Sequence, residues 1–279
     1  SMSKLLKYKD YILQSKLLGH GSRKIAAELG VSKSTVNDFI RSIACNDVFP
    51  EHDLKKHDNS RIMFISDMHC PYQHEKTVEW LAGLKDKYKP TRIICVGDEV
   101  DRHGLSYHES DPDLYSAGHE LKEAKKTIKQ LHDLFPDMDI MESNHGSLHL
   151  RKALTHGIPQ AYIKSYNDIL EVGKGWAWHH DLIIELPNGQ DCYITHGKNA
   201  NGLRLSQNMG MNVVQGHHHS EFGIGYWSNP RNLFFAMAVG CLIDDKSLAM
   251  RYNKLTMKRP IIGTGLIIDS KPILEVMPL

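Results

Sequence analysis

Five short polar segments could do chemistry in this 279-residue sequence: Ser66-Asp67-Met68-His69, Gly97-Asp98-Glu99-Val100-Asp101-Arg102, Ser143-Asn144-His145-Gly146, Thr195-His196-Gly197 and Gly216-His217-His218-His219. Each closes a short apolar run, and together they offer carboxylates, imidazoles and one amide. Mixed nitrogen and oxygen donors suit borderline divalent cations, whereas five scattered cysteines without a C-x-x-C pair argue against a closed thiolate zinc site or a disulfide framework. With 18 histidines in the chain, metal chemistry is the first expectation.

Such ligands are useful only if separate segments meet. The runs that carry them alternate with helical periodicity: strands at Arg61–Ile65, Arg92–Val96 and Met138–Met141, with helices near Glu75–Lys87 and Ser116–Phe135 between them. In an open α/β sheet the crevice beyond the carboxyl ends of the strands is where ligands bind, so the first three segments are brought to one edge. After a helical stretch at about 147–172 the chain reads as strands: Asp181–Leu186, an Asn188-Gly189 hairpin turn, Asp191–Thr195, Val213–Gln215, Phe222–Trp227, Leu233–Val239 and two more around 261–268 and 272–277. The last two polar segments end strands of this second set.

The ordered set Asp67-x-His69, Gly97-Asp98-x-x-Asp101, Asn144-His145, His196 and Gly216-His217-x-His219 resembles the calcineurin-like metallophosphoesterase superfamily over residues 61–245. The resemblance implies an α/β fold, a four-layer α-β-β-α sandwich with a dinuclear metal centre. It implies that Asp67, His69 and His219 hold one metal and Asn144, His196 and His217 the other, with Asp98 bridging. Mn²⁺ is the expected ion, and Fe²⁺, Zn²⁺, Ni²⁺ or Mg²⁺ are alternatives. Paired cations of this kind activate water and clamp the oxygens of an in-line displacement at phosphorus. His145 would then be the general acid, Asp101 would hold its ring, and Arg102 would clamp phosphate, as in the Ser/Thr protein phosphatases whose motif GDEVDR resembles. Ser143 stands where this pattern usually has glycine, and Gly146 where an acidic residue often follows. The paired histidines at the last motif look more like the nuclease and phosphodiesterase branches. Of the other histidines, His103, His108, His149, His179 and His180 are read as surface or core residues, with His103 and His149 best placed to open into the cleft. Arg151 and Lys152 are read equally as phosphate contacts or as an ordinary solvated helix face.

The front of the chain differs. Residues 1–50 hold eight Lys/Arg against four Asp/Glu, while the whole chain is at +1. Three short amphipathic helices fit residues 7–43, with Gly30 at the turn between the second and third. Residues 22–36 resemble the helix-turn-helix of resolvases and transposases, which implies a DNA-binding module at 1–45 with Arg23, Lys24, Lys33, Ser34, Thr35 and Asn37 facing DNA. Residues 46–60 read as a linker and 61–279 as the phosphoesterase domain. With 41% hydrophobic and 24% charged residues the chain is neither disordered nor membrane-spanning, since no apolar run approaches about 18 residues, and a cytoplasmic location is expected.

The combined expectation is a metal-dependent phosphodiesterase, a DNA nuclease brought to its substrate by the helix-turn-helix. A phosphomonoesterase acting on nucleotides, phosphoprotein or DNA ends is the alternative, and a non-catalytic DNA-binding regulator a third reading. The layout is similar to phage or mobile-element proteins, and a homo-oligomer is compatible with it.

Overall fold

Alternation within one strand sets the architecture. In β2 (Arg61–Ile65), Ile62 and Phe64 face one apolar cluster while Met63 and Ile65 face another, and all four are fully buried. A strand apolar on both faces must be covered on both. The computed structural model describes residues 8, 11–12, 15, 22–36, 51–52, 57–106, 115–197, 199–244 and 259–278. The chain divides into two compact units, 1–49 and 50–279.

Within the larger unit, β2 lies in a six-stranded sheet. Its parallel neighbours are β3 (Arg92–Cys95), β4 (Met138–Met141) and β5 (Trp176–His179), while β11 (Gly263–Ile268) and β12 (Lys271–Val276) extend it antiparallel on the other side. A second six-stranded sheet runs in the order β1 (Glu51–His52), β6 (Leu182–Glu185), β7 (Asp191–Thr195), β8 (Asn212–Gln215), β10 (Leu233–Val239), β9 (Phe222–Ser228). The two sheets meet through Ile62, Phe64, Ile94 and Val96 on one side and Ile184, Ile194, Val214 and Met237 on the other.

Helices close the outer faces. The helices α2 (Thr77–Tyr88) and α3 (Ala117–Leu134) pack Leu81, Leu84, Ala124, Ile128 and Leu131 onto Met63, Ile65 and Cys95. On the opposite face α6 (Gly202–Met209) sets Leu203, Leu205 and Met209 against Tyr193, Val213 and Ala236. The result is the helix–sheet–sheet–helix sandwich expected from the sequence. Two short helices, α4 (Leu148–Thr155) and α5 (Tyr166–Leu170), follow β4. Cys70, Cys95, Cys192 and Cys241 are buried and outside any disulfide, and burial pushes the first three up from the ordinary thiol range. Among the described residues no helix is long and apolar enough to cross a membrane.

Three elements escape the sequence reading. The strand β5 is four residues of alternating Trp and small or polar side chains after Gly175, too short to show a period. The helix α6 has only one apolar stripe, and β1, within the expected linker, is two residues paired in parallel with Leu182 and Ile183 of β6.

In the smaller unit, α1 (Ser22–Leu29) buries Ile25 and Ala26 with Ile12 and Val36. Gly30 follows at φ +62°, the left-handed turn that glycine tolerates, with Val31 N–H donating to the Ala26 carbonyl. The Ser32 hydroxyl then accepts from Thr35 N–H at 3.0 Å, opening a helical turn at residues 33–36. Asn37, Cys45 and the expected helix beyond residue 36 lie outside the described residues, as does His108. Phe64→Ala should lower the unfolding free energy by about 3–5 kcal/mol, read from denaturant melts, because it opens a cavity between the two sheets.

Candidate metal centre

The strand ladder of β2 and β3 does not stop at the strand ends. Asp67 N–H donates to the Gly97 carbonyl at 3.0 Å, His69 N–H to the Asp98 carbonyl at 2.8 Å and Cys70 N–H to the Glu99 carbonyl at 3.1 Å. The two acidic loops are thereby stitched together beyond the sheet. The second sheet joins them where His217 N–H donates to Asp67 Oδ2 at 2.9 Å, and the loop after β4 where His145 N–H donates to Asp98 Oδ1 at 3.1 Å.

Holding these loops costs backbone strain. Asp67, His69, Asp98 and His217 all sit at φ between +48° and +66°, a region that non-glycine residues avoid and that clusters at functional sites. Space is equally tight. A Cβ added to Gly97, itself at φ +107°, would lie 2.7 Å from His196 Nδ1, and one added to Gly216 would lie 2.5 Å from Asp67 Oδ2.

The side chains then converge in three groups that could hold a metal: Asp67 with His69 and His219, Asp98 with His196 and His217, and, sharing His69 with the first, Asp101 and His145. His219 Nε2 is 3.1 Å from Asp67 Oδ1 and 3.2 Å from His69 Nε2. In the second group His196 Nε2 is 2.7 Å from Asn144 Oδ1 and 3.2 Å from Asp98 Oδ2. The same Asp98 oxygen is 3.5 Å from His69 Nε2, so this carboxylate stands between the groups.

Hydrogen bonds on the far ring nitrogens decide what the near ones can be. His69 Nδ1 donates to Asp101 Oδ1 at 2.7 Å, and His196 Nδ1 donates to the Val96 carbonyl at 2.8 Å. Each neutral ring is then left with an Nε2 lone pair facing other acceptors: a second imidazole, carboxylates, or the Asn144 amide oxygen. Acceptor against acceptor in a buried site is repulsive unless a positive charge lies between them. Burial opposes the charge on His69, yet the bond to Asp101 and the nearness of Asp67 and Asp98 hold its pKa well above the usual range. His196 is likewise raised to about 9, against burial, by Asp98 and Asp67. Burial works to raise Asp67 and Asp98 too, but the facing imidazoles outweigh it and both carboxyls are held low. Protons therefore bind where a cation would, and this donor set fits one or two divalent ions.

The remaining expected residues fall as follows. His145, partly exposed, is fixed through Nδ1 by the backbone carbonyl of Asp101, whose carboxylate serves His69 instead and is 3.6 Å from His145. Arg102 is buried, its guanidinium against the Gly146 carbonyl, His149 Nδ1 and the Tyr166 ring. Burial and this arginine push the His149 imidazole down to about 4. Ser143, the departure from the usual glycine, accepts from Gly146 N–H at 2.9 Å and so braces the turn that carries Asn144 and His145. A cleft of ≈ 420 Å³ borders Asn144, His196 and His217 and is lined also by Arg151, His180 and Asp181. Arg151 donates to the Asn144 carbonyl and, at 3.1 Å, to Ser147 Oγ. Ser66, which opens the first polar segment, bonds Asp67 through its hydroxyl. The Val96 carbonyl that holds His196 is outside the reach of sequence reasoning, because a backbone acceptor leaves no sequence signal. Arg23, Lys24, Lys33 and Ser34 are exposed and Thr35 half-buried in the smaller unit.

Metal titration of the purified protein tests this arrangement. Asp98→Asn and Gly216→Ala should each weaken Mn²⁺ binding by about 10–100-fold, whereas His145→Ala should keep the metal. Uptake at about pH 7 should release protons into a weakly buffered solution, since His69 and His196 carry them in the metal-free protein.

Residues 60–234 match the calcineurin-like phosphoesterase family. A search of curated protein sequences finds no match. Among solved structures, Vacuolar Protein Sorting 29 from Cryptosporidium parvum aligns at 12% identity and a TM-score of 0.40, covering 78% of this chain and 96% of that one. Vps29 from Chaetomium thermophilum aligns at 10% identity and 0.40, covering 78% and 95%. The nuclease MPE of Pseudomonas putida aligns at 14% identity and 0.32, covering 77% and 87%. With the family match spanning most of the chain and the two-sheet sandwich carrying its polar segments to one edge, the chain belongs to the calcineurin-like phosphoesterase family.

Proposed function

We propose that this chain is a dinuclear-metal phosphodiesterase, a DNA nuclease directed to its substrate by residues 1–45. The observation that carries the phosphoesterase part is the Asp98 carboxylate standing between two histidine groups, each with its lone pairs turned inward. In this reading Asp67, His69 and His219 hold one divalent ion, and Asn144, His196 and His217 the other, with Asp98 shared; Mn²⁺ is the first choice. Two such ions, when bound, polarise a phosphoryl group and supply an activated water for in-line displacement.

The chain's own residues supply the rest. His145 donates through Nδ1 to the Asp101 carbonyl, so its ring is oriented and Nε2 is left to give a proton to the leaving oxygen as the P–O bond breaks. Asp101 has a second duty, since its carboxylate fixes the tautomer of His69. Arg151 steadies the Asn144 backbone at the edge of the cleft.

Diester over monoester is supported by Arg102. This residue favoured the phosphatase reading in the sequence, but its guanidinium is buried and its Nη1 is held by the Gly146 carbonyl and His149. The nuclease reading draws on the front unit: the α1 helix, the Gly30 turn, the Ser32-capped turn after it and the exposed Arg23, Lys24 and Lys33 are consistent with a helix-turn-helix. Tethering such a module to the phosphoesterase raises the local concentration of DNA at the cleft. A cytoplasmic location belongs to the same reading.

Activity should be assayed with Mn²⁺ on bis-p-nitrophenyl phosphate, p-nitrophenyl phosphate and single- and double-stranded DNA. Cleavage of the diester and DNA is expected; activity confined to the monoester would replace this reading with a phosphatase. His145→Ala should lower kcat by about 10²–10⁴-fold with metal retained. Removal of residues 1–45 should weaken cleavage of long DNA and spare the small diester.

A further inference from the structure

Behind the ligand loops lies a buried charge cluster that the reaction above leaves without a task. Glu99 is 1% exposed, Glu120 3% and Arg102 6%. Burial pulls the Arg102 guanidinium below its ordinary pKa, and the nearby Glu99, Tyr166 and Glu120 oppose this. Glu120, in the first turn of α3, also accepts from Gly104 N–H at 3.4 Å. A guanidinium taken out of water needs a counter-charge, and here two glutamates of the chain itself supply it.

The backbone turns this arginine toward the loop after β4. Arg102 sits at φ +54°, and its Nη1 donates to the Gly146 carbonyl. One residue earlier, the Asp101 carbonyl accepts from His145 Nδ1. Two consecutive residues therefore grip two others: Asp101 holds the ring of His145, and Arg102 holds the peptide behind it. The turn is closed from within, where Gly146 N–H donates to Ser143 Oγ and Ser147 N–H to the Ser143 carbonyl, both at 2.9 Å.

Small size at Gly146 makes the arrangement fit. A Cβ added there would lie 2.7 Å from Ser143 Oγ and 3.5 Å from Glu99 Oε1, so the glutamate rests against the same turn that the arginine holds. Aromatic rings close the other sides. His149 Nδ1 is a second acceptor for Arg102 Nη1, and the Tyr166 ring, itself stacked on Trp178 of β5, lies 5.2 Å from the guanidinium carbon.

We propose that Arg102 is a positioning residue: with Glu99 as its counter-charge it holds the Gly146 carbonyl, and so sets how Asn144 and His145 present their side chains to the metal centre and to the leaving oxygen. This rests on the phosphoesterase reading. The rival role, a phosphate clamp, has to use Nη2, which is buried without a hydrogen-bond partner, and has to bring an anion up to Glu99 and Glu120. A general acid works only within hydrogen-bond reach of the atom it protonates, so a small displacement of the turn is felt at His145.

Two measurements on the full-length protein test it. In the first, kcat and KM with Mn²⁺ are compared for methyl phenyl phosphate, whose leaving group needs a proton, and methyl 2,4-dinitrophenyl phosphate, whose leaving group departs as the anion. Arg102→Ala should lower kcat about 10–100-fold on the phenyl ester and less than about threefold on the other, the same split as His145→Ala, with KM and inhibition by inorganic phosphate unchanged. Arg102→Lys, which keeps the charge and a donor without the planar fork, should show a smaller split in the same direction, and so should Glu99→Gln. An equal loss on both esters overturns the proposal as mere loss of structure. A raised KM with weakened phosphate inhibition overturns it in favour of the clamp.

The second measurement needs no turnover. Long-range nitrogen–proton NMR spectra of the histidine rings are recorded on Zn²⁺-loaded protein, with His145 assigned by its absence in His145→Ala. The wild type should carry the His145 proton on Nδ1 alone, and Arg102→Ala and Arg102→Lys should show a mixture of both tautomers; an unchanged His145 pattern in both overturns the proposal. A tautomer change in a protein whose wild type hydrolyses neither ester supports the positioning role and sinks the phosphoesterase. Hydrolysis by the wild type with no split and no tautomer change in the variants sinks the positioning role and leaves the phosphoesterase.

Discussion

Electron pairs pointing at one another are the constraint around which this protein is organised. His69 and His196 are each fixed by a hydrogen bond on Nδ1, so their Nε2 atoms confront Asp67, Asp98, Asn144 and His219 across 2.7–3.8 Å. Such a cluster falls apart in water-accessible, flexible loops, because the groups rotate away to find solvent. Here they cannot, since the loops are extensions of the strand ladder and two carboxylate oxygens are bound by backbone N–H groups of other ligand loops. The site is rigid on account of its neighbours' backbone and not of its own side chains.

The donors come from both sheets. Asp67, His69, Asp98 and Asn144 follow β2, β3 and β4, whereas His196, His217 and His219 follow β7 and β8. Neither sheet holds a complete set. The apolar seam of Ile62, Phe64, Ile94, Ile194, Val214 and Met237 therefore does more than stabilise, for its closure brings the two halves of the centre into register. A cation held by both halves would in turn favour the docked state of the sheets.

Much of this was legible from residue order. The apolar alternation of Arg61–Ile65 and the polar residues that end each strand point to a common edge, and five ordered motifs contain the side chains that the fold brings together there. What the sequence hides is the division of labour among atoms. Asp101 carries a carboxylate and a carbonyl in the same residue, and only the geometry assigns the first to His69 and the second to His145. Arg102 sits in a phosphatase-like motif, yet its left-handed backbone at φ +54° accompanies a guanidinium held against Gly146 and Tyr166. No spacing rule reports the sign of a φ angle. The short strands β1 and β5 are set by sheet pairing, not by any local preference of their few residues.

The left-handed ligand residues carry one more consequence. At Asp67, His69, Asp98 and His217 the backbone would be relaxed by glycine, the one residue that visits this region freely. A screen for thermal tolerance carried out without metal would thus tend to collect glycine at these four places, hardening the fold while emptying the centre of its donors. Durability and chemistry pull against each other at the same φ angles, and a thermostable relative of this protein has to draw its extra stability from somewhere else in the sandwich.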